Sequence, residues 1–210
     1  MPRTGPVLAL VVLAPLLLAG CSGSPAASSS SSRAVSTAPS SAAASQPATT
    51  SAPSASASSL GSTDGVVSGT GYRFPVPDGW GKPQGVDAPQ GTDSFAAALD
   101  DADGFADNVN VIALPTGAVT PQAAEEQAPA GLKQIGATKV TVADRETVAG
   151  ETAAHLSASL TSSGQKYRVD QFYVPHDGKT YVVTFSFSPG VSASDRSAVY
   201  SPSLAGWAWS

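Results

Sequence analysis

The composition of the chain changes abruptly near residue 65, and this boundary limits what can fold. Residues 22–64 are nearly all Ser, Ala, Thr and Pro, with Arg33 and Asp64 as the only charges and Val35 and Leu60 as the only larger apolar residues. Such a segment cannot bury enough apolar surface to offset the entropy of ordering, so we expect a disordered linker. All 3 Trp, 5 Tyr and 6 Phe follow it, which predicts one globular domain over residues 65–210.

The first 20 residues have the pattern of an export signal. Arg3 supplies a positive charge, and residues 7–18 form an apolar run that only Pro15 interrupts. The run is too short to span a bilayer comfortably, because a spanning helix needs about 20 apolar residues. It has the length and flanks of a secretory signal. It ends in a sequence that resembles the lipobox of bacterial lipoprotein signal peptides: Leu18, Ala19, Gly20 and Cys21.

That resemblance implies cleavage after residue 20 and attachment of lipid to Cys21. We therefore expect residues 1–20 to be a signal peptide and residues 21–64 to be a lipidated cysteine followed by the linker. Several acyl chains on one residue suffice for stable anchoring. The expected location is the outer face of the cell membrane, with partial release left open. The alternatives are an uncleaved anchor or a chance cysteine beside a generic signal.

Charge and cysteine content exclude several classes of protein. The net charge is -5, whereas a nucleic-acid-binding protein needs clustered cations to displace counterions, so no nucleic-acid partner is expected. The single Cys excludes an intramolecular disulfide and any site that needs several cysteines, such as a structural zinc or iron–sulfur centre.

Alternation of apolar and polar residues predicts a β-rich domain. Its strongest example is Tyr181, Val183, Phe185 and Phe187, which share one face of a strand. In a second such segment, Ala154, Leu156, Ala158 and Leu160 share one face, and His155, Ser157 and Ser159 share the other. Strands separated by turn residues are predicted over residues 72–76, 94–99, 108–114, 138–143, 152–160, 166–174 and 180–188.

Two helices are predicted from their end signals. Thr120 and Pro121 suit the N-cap and first position of a helix that runs to Ile135, with Ala124, Ala128, Leu132 and Ile135 facing inward. Ser192 and Asp195 match a capping box that opens a second helix towards Ala205. Consecutive hairpins with two helices predict an α+β fold in which helices sandwich an antiparallel sheet.

Motifs that would carry catalysis are weak in this sequence. Ser163 and Lys166 fit the S-x-x-K spacing, but they fall in a predicted hairpin turn instead of the helix that the mechanism needs. His155 and His176 are expected at the surface, and no spacing suggests a zinc site or a catalytic triad. We therefore predict no catalytic residue, no resident metal and no cofactor. An irregular calcium site is the alternative to a solvated loop for Asp93, Asp100, Asp101, Asp103 and Asp107.

The tryptophans are the remaining candidates for an interaction surface. Trp80, Trp207 and Trp209 could form a recognition patch, since tryptophan anchors interfaces at low entropic cost. Packing at the ends of the core is the favoured interpretation for Trp80 and Trp207. Trp209 is expected to be the more exposed residue.

The domain also resembles a known family. The motif residues lie at Tyr72, Phe74, Val76 and Trp80, then at 105–111, at 171–174, at 178–185, and at Ser203, Leu204 and Trp207. These segments resemble those of the LpqN/LpqT family of actinobacterial lipoproteins. The resemblance implies the PsbP-like fold, a lipoprotein location and no defined catalytic residue to transfer.

These observations favour an exported, membrane-anchored lipoprotein whose domain is a non-catalytic binding or envelope-accessory module. Its partner would be a protein or another envelope ligand that the sequence does not identify. Two other classes remain open. One is a carrier of a small ligand or lipid, with a pocket between the sheet and a helix, and the other, less favoured, is a hydrolase.

Overall fold

The computed structural model describes residues 65–84, 88, 90–101 and 103–210. The signal peptide, the lipobox with Cys21 and the linker lie outside the described residues. The elements are β1 (Val66–Gly69), β2 (Tyr72–Pro75), β3 (Trp80–Gly81), β4 (Ser94–Ala98), β5 (Asn108–Leu114), α1 (Pro121–Gln134), β6 (Thr138–Val148), β7 (Glu151–Ser162), β8 (Gln165–His176), β9 (Lys179–Phe187), α2 (Ala193–Ala205) and β10 (Ala208–Trp209).

The described strands form two antiparallel sheets. The larger sheet has seven strands in the order β3-β4-β5-β9-β8-β7-β6, and the smaller has three in the order β1-β2-β10. Two-residue turns join β6 to β7, β7 to β8 and β8 to β9, at Ala149-Gly150, Ser163-Gly164 and Asp177-Gly178. Both residues of each turn have positive φ. Such turns match the twist of the flanking strands and therefore fix the register of the four longest strands.

The helices cover opposite faces of the large sheet, and the domain is therefore α+β. Helix α1 packs on β6, β7 and β8, where Ala124, Ala128 and Leu132 join Leu156 and Val169 in one core. Helix α2 and the small sheet lie over the other face. There the second core contains Tyr72, Phe74, Phe172, Phe185, Tyr200, Leu204 and Trp207.

The predicted helix starts agree with the structure. The Thr120 hydroxyl accepts a hydrogen bond from the Ala123 N–H, and the Ser192 hydroxyl accepts one from the Asp195 N–H. These bonds satisfy N–H groups that have no partner inside the helix. The prediction that Ile135 faces inward is wrong. Helix α1 ends one residue earlier, and Ile135, as its C-cap, is 37% exposed.

Several strands differ from their predicted bounds. Strand β6 continues to Val148, well beyond the predicted end, and the short strands β1, β3 and β10 were not predicted. Val142 is 48% exposed, because β6 is an edge strand of the large sheet. Within the described part of the chain, no helix is long and apolar enough to cross a membrane.

Candidate functional site

A groove opens between the small sheet and one end of the large sheet. It has a volume of about 570 Å³ and is lined by residues of β1, β3, β4 and their flanks, among them Val66, Trp80, Phe95 and Leu99. The volume lies within the range of about 300–1,000 Å³ that is common for ligand sites. Leu99 is 53% exposed and Val66 is 45% exposed, so two large apolar side chains reach solvent at the rim.

The inner wall of the groove contains the two aromatic residues. Trp80 is 8% exposed and belongs to the core beneath the small sheet, and Phe95 is also 8% exposed. The tryptophan that the sequence offered as an interface candidate thus lines the groove while it packs in the core. Its burial agrees with the favoured packing interpretation, and its role in binding stays a prediction.

Polar contacts close the groove at the end of β1. The Thr70 N–H and hydroxyl donate to the two carboxylate oxygens of Asp93, at 2.8 and 2.7 Å. Burial alone would raise the pKa of the Asp93 carboxyl, but the hydrogen bonds from Thr70 outweigh it and hold the pKa below its ordinary value. Behind this contact the Tyr72 and Ser94 hydroxyls share a hydrogen bond of 2.7 Å. These bonds attach the start of β4 to the turn after β1.

The other two tryptophans lie away from the groove lining and pack among aromatic rings. Trp207 is 4% exposed and stacks on Tyr72, with ring centroids 4.5 Å apart, and on Phe74 at 4.8 Å. Trp209 stacks on His176 with centroids 3.8 Å apart. Trp209 is partly exposed, whereas Trp80 and Trp207 are buried, so the prediction that it is the more exposed tryptophan is confirmed, although pairing of β10 with β2 holds it against the domain.

The expectation that His155 lies at the surface is wrong. It is 5% exposed, because α2 covers the face of β7 that the sequence pattern suggested was solvent-facing. Its Nε2 lies 2.9 Å from Asp170 Oδ1, and Arg196 Nε donates to Asp170 Oδ2 at 2.7 Å. Burial would raise the pKa of the Asp170 carboxyl, but the bonds to His155 and Arg196 outweigh it and lower the pKa.

This buried trio of His155, Asp170 and Arg196 joins helix α2 to the sheet. Arg196 also donates from Nη1 to the Val191 carbonyl at 3.0 Å, and the His155 ring stacks on Phe172 with centroids 4.4 Å apart. His176, the other histidine, lies 3.0 Å from Glu151 Oε1 through its Nδ1. In the described residues both histidines therefore pair with carboxylates, and neither is hydrogen-bonded to a serine hydroxyl as the histidine of a Ser-His-Asp triad is.

The acidic loop between β4 and β5 is organised by its own carboxylates. Asp103 accepts hydrogen bonds from the Ser188 hydroxyl and the Phe105 N–H, and Asp107 accepts from the Ser188 N–H. Burial, with the nearby charges of Asp101 and Asp103, raises the pKa of Asp107 to about 6. The described residues contain no group of three or more His, Cys, Asp or Glu side chains suited to a metal. The calcium alternative therefore has no support in the described structure.

Ser163 and Lys166 lie where the sequence placed them. Ser163 is in the turn between β7 and β8, and Lys166 follows in β8, paired with Thr161. The S-x-x-K spacing therefore falls on a hairpin and lacks the helical turn that its chemistry needs.

The fold and the groove together define an α+β domain with a surface groove between its two sheets, lined by both polar and apolar residues and with apolar side chains exposed at its rim. The chain matches no protein-family model and no curated protein sequence. Among solved structures it is similar to the cyanobacterial PsbP of Synechocystis, at 15% identity over 76% of this chain and 100% of that chain, with a TM-score of 0.49.

Two further solved structures show a similar level of likeness. LpqN of Mycobacterium tuberculosis, described as involved in cell envelope biogenesis, is 20% identical over 70% of this chain and 86% of that chain, with a TM-score of 0.42. A Bacteroides thetaiotaomicron protein is 14% identical over 66% of this chain, with a TM-score of 0.43, and the match spans 45% of that protein's length. These similarities concern the fold and assign no residue a role.

Proposed function

We propose that this chain is an exported lipoprotein, held at the outer face of the cell membrane through lipid on Cys21, whose α+β domain is a non-catalytic binding module. The anchor rests on the sequence of residues 1–21. The resemblance to the LpqN/LpqT family belongs to this proposal. It rests on the motif residues from Tyr72 to Trp207.

The groove carries the binding part of the proposal. Val66 and Leu99 are two of the large apolar side chains of the described residues that stay exposed, and they meet at this one concave surface. A concave surface of this volume, lined by apolar side chains and a few polar groups, has the usual form of a binding site, whereas scattered apolar residues need no explanation. Both histidines are paired with carboxylates, and this supports the proposal that the module is non-catalytic.

The carrier alternative finds little room in the space that the described residues leave between α1 and the sheet. The cavity between α1 and the sheet, lined by Leu114, Val119, Ala128 and Tyr173, has a volume of about 40 Å³. One water in the liquid occupies about 30 Å³, so this space is far too small for an acyl chain or a similar ligand. A carrier would have to use the open groove instead.

Crosslinking on intact cells tests the binding module. Cells that express the full chain are treated with formaldehyde, and species attached to the wild-type protein are compared with those attached to Leu99→Asp. Val142→Asp is the matched control, because Val142 is 48% exposed and lies on the edge strand β6, away from the groove. We expect a specific protein that is captured by the wild type and by Val142→Asp and is lost from Leu99→Asp.

Identical captures by all three proteins would contradict a role for the groove. A lipid captured in place of a protein, and lost with Leu99→Asp, would favour the carrier. Because Leu99 is exposed, the substitution leaves the core intact, and equal thermal unfolding of the two variants verifies this.

A further inference from the structure

The outer edge of β1 offers unpaired main-chain groups beside the groove. The Val76 N–H donates to the Gly65 carbonyl at 2.8 Å, and the register continues through Val66 opposite Pro75 to Gly69 opposite Tyr72. Hydrogen-bonded and non-hydrogen-bonded pairs alternate in an antiparallel ladder. Val66 and Ser68 therefore direct their N–H and C=O groups away from β2.

These four groups lie on the side of β1 that has no strand partner among the described residues. No described residue makes a backbone hydrogen bond to Val66 or Ser68. The groove touches Val66, Val67 and Ser68, three consecutive residues. Successive side chains of a strand point to opposite faces, so a groove that meets all three meets the strand at its edge.

The end of the large sheet farthest from the groove, at β6, is protected from strand pairing. Edge strand β6 has register shifts between Thr138 and Thr141 and between Ala143 and Glu146, and Lys139 has a φ of 51°. It also contains the charged run from Asp144 to Glu146. Bulges and charges are the usual means by which an edge avoids pairing with another chain. Strand β1, with the sequence Val-Val-Ser-Gly, has neither.

The charges near the rim favour one kind of occupant. The Leu99 N–H donates to the Gly79 carbonyl at 2.9 Å, just beyond the paired ends of β4 and β3. Asp78 precedes Gly79 and Asp100 follows Leu99, and both aspartates are exposed. Lys82 is an exposed cation that lines the groove farther along β3. The Leu99 end of the rim is therefore acidic and complements a positively charged group.

We propose that β1 binds an extended segment of a partner polypeptide, which adds a strand to the small sheet through main-chain hydrogen bonds. Alternate side chains of this segment are apolar and enter the groove towards Leu99 and Phe95, and a basic residue lies beyond the Leu99 end. This mode is the addition of a strand to a free sheet edge. The inference rests on the proposed function and specifies the class of partner for the same groove.

A proline substitution separates main-chain binding from side-chain contact. Ser68→Pro removes an N–H that points away from β2, and proline is tolerated at an edge whose N–H side faces solvent. Ser68→Ala keeps this N–H and is the matched control. The probe is a capped peptide that alternates valine and serine over about six residues, a common strand length, and ends in lysine.

We expect the peptide to bind the wild type and Ser68→Ala with equal affinity and Ser68→Pro at least about tenfold more weakly, because one bond is lost and the ring occupies the edge. Titration calorimetry gives the affinities. Equal binding by Ser68→Pro, or no binding to the wild type at millimolar peptide, overturns the proposal. If Ser68→Pro fails to fold, peptides methylated on alternate amides replace it. One methylation register must then abolish binding, and tolerance of both registers overturns the proposal.

The two proposals can fail separately. If Leu99→Asp loses its crosslinked partner in cells but Ser68→Pro retains it, the groove binds a partner without strand addition. If neither substitution changes the captured species, the groove is not the binding site at all.

Discussion

Replacing Arg196 tests how helix α2 is held on the sheet. Its guanidinium is the cation that faces Asp170 from the helix, and the side chains of the pair are only 10% and 3% exposed. Arg196→Met keeps much of the length and apolar stem of the side chain but leaves the carboxylate with His155 as its remaining partner. We expect a large loss of stability, because a buried charge then lacks most of its compensation.

The size of the loss follows from burial and from the remaining bond. Breaking a buried ion pair by removing one partner costs about 3–5 kcal/mol, and His155 should keep the cost near the lower end, about 3 kcal/mol. A domain is stable by about 5–15 kcal/mol, so this is a large fraction of the total. For a domain of this size the midpoint of thermal unfolding should fall by roughly 6–12 °C.

Urea unfolding followed by tryptophan fluorescence measures the loss. The control is Arg145→Met, which removes a cation from the exposed pair with Glu125, where the side chains are 47% and 21% exposed. Exposed pairs contribute little, so no measurable change is expected for the control. The double variant Arg196→Met with Asp170→Asn should recover part of the lost stability, because the unpaired carboxylate is gone.

The loss of stability caused by Arg196→Met must also become smaller as the pH falls. The pKa of Asp170 is lowered in the folded state, so its stabilisation is present above the unfolded pKa of about 3.9 and is lost as the pH falls through the folded pKa. The difference between wild type and Arg196→Met should therefore shrink on acidification below about pH 4. A loss below about 1 kcal/mol at pH 7, or a loss that is unchanged in strong acid, would refute this account of the trio.

Three further predictions concern other parts of the chain. Burial raises the pKa of Asp107 to about 6, so between about pH 4 and 6 the folded state binds more protons than the unfolded state, and wild-type stability falls as the pH rises. Asp107→Asn should remove this decline and stabilise the domain by about 1–2 kcal/mol at pH 7, as measured by urea titration. An unchanged pH profile would contradict this prediction. A Cβ at Gly69 would overlap the Tyr72 ring, so Gly69→Ala should cost about 1–3 kcal/mol of unfolding free energy, and an unaltered unfolding midpoint would show that the ring can move. Cys21→Ser should move the protein from the detergent phase to the aqueous phase in phase partitioning, and unchanged partitioning would exclude the lipid anchor.

The local pattern of the sequence predicted the central strands and both helix starts. Alternation at Tyr181 to Phe187 is strong because one side of β9 packs under the small sheet, and the turn residues Ser163-Gly164 tolerate positive φ. Thr120 and Ser192 were found because capping is a local interaction. These features depend on residues that are near one another in the chain.

Features that depend on distant segments could not be predicted from the pattern. His155 alternates with apolar residues as a solvent-facing side chain would, and only the return of α2 over the sheet buries it. Strand β10 has two residues, too few for a periodic signal, and its pairing with β2 holds Trp209 in place. The groove is formed by residues of β1, β3 and β4, which are distant in the sequence, and of its lining residues the sequence pattern singled out only Trp80 and Asp93, for different reasons.

The proposed lipid anchor and the proposed strand addition have a common energetic consequence. Val66 and Ser68 offer four edge groups, and at about 0.5–1.5 kcal/mol each they supply roughly 2–6 kcal/mol before the costs of association. Even without those costs, these bonds alone correspond to a Kd for a free peptide no tighter than about 40 μM. The linker that the composition of residues 22–64 predicts would, as a flexible chain, reach about 35–40 Å and give a membrane-bound partner an effective concentration near millimolar. Cys21→Ser should therefore abolish capture of a membrane-bound partner in cells yet leave peptide affinity in solution unchanged. Equal capture with and without the anchor would show that the groove binds tightly by itself and that the edge groups are not its main source of affinity.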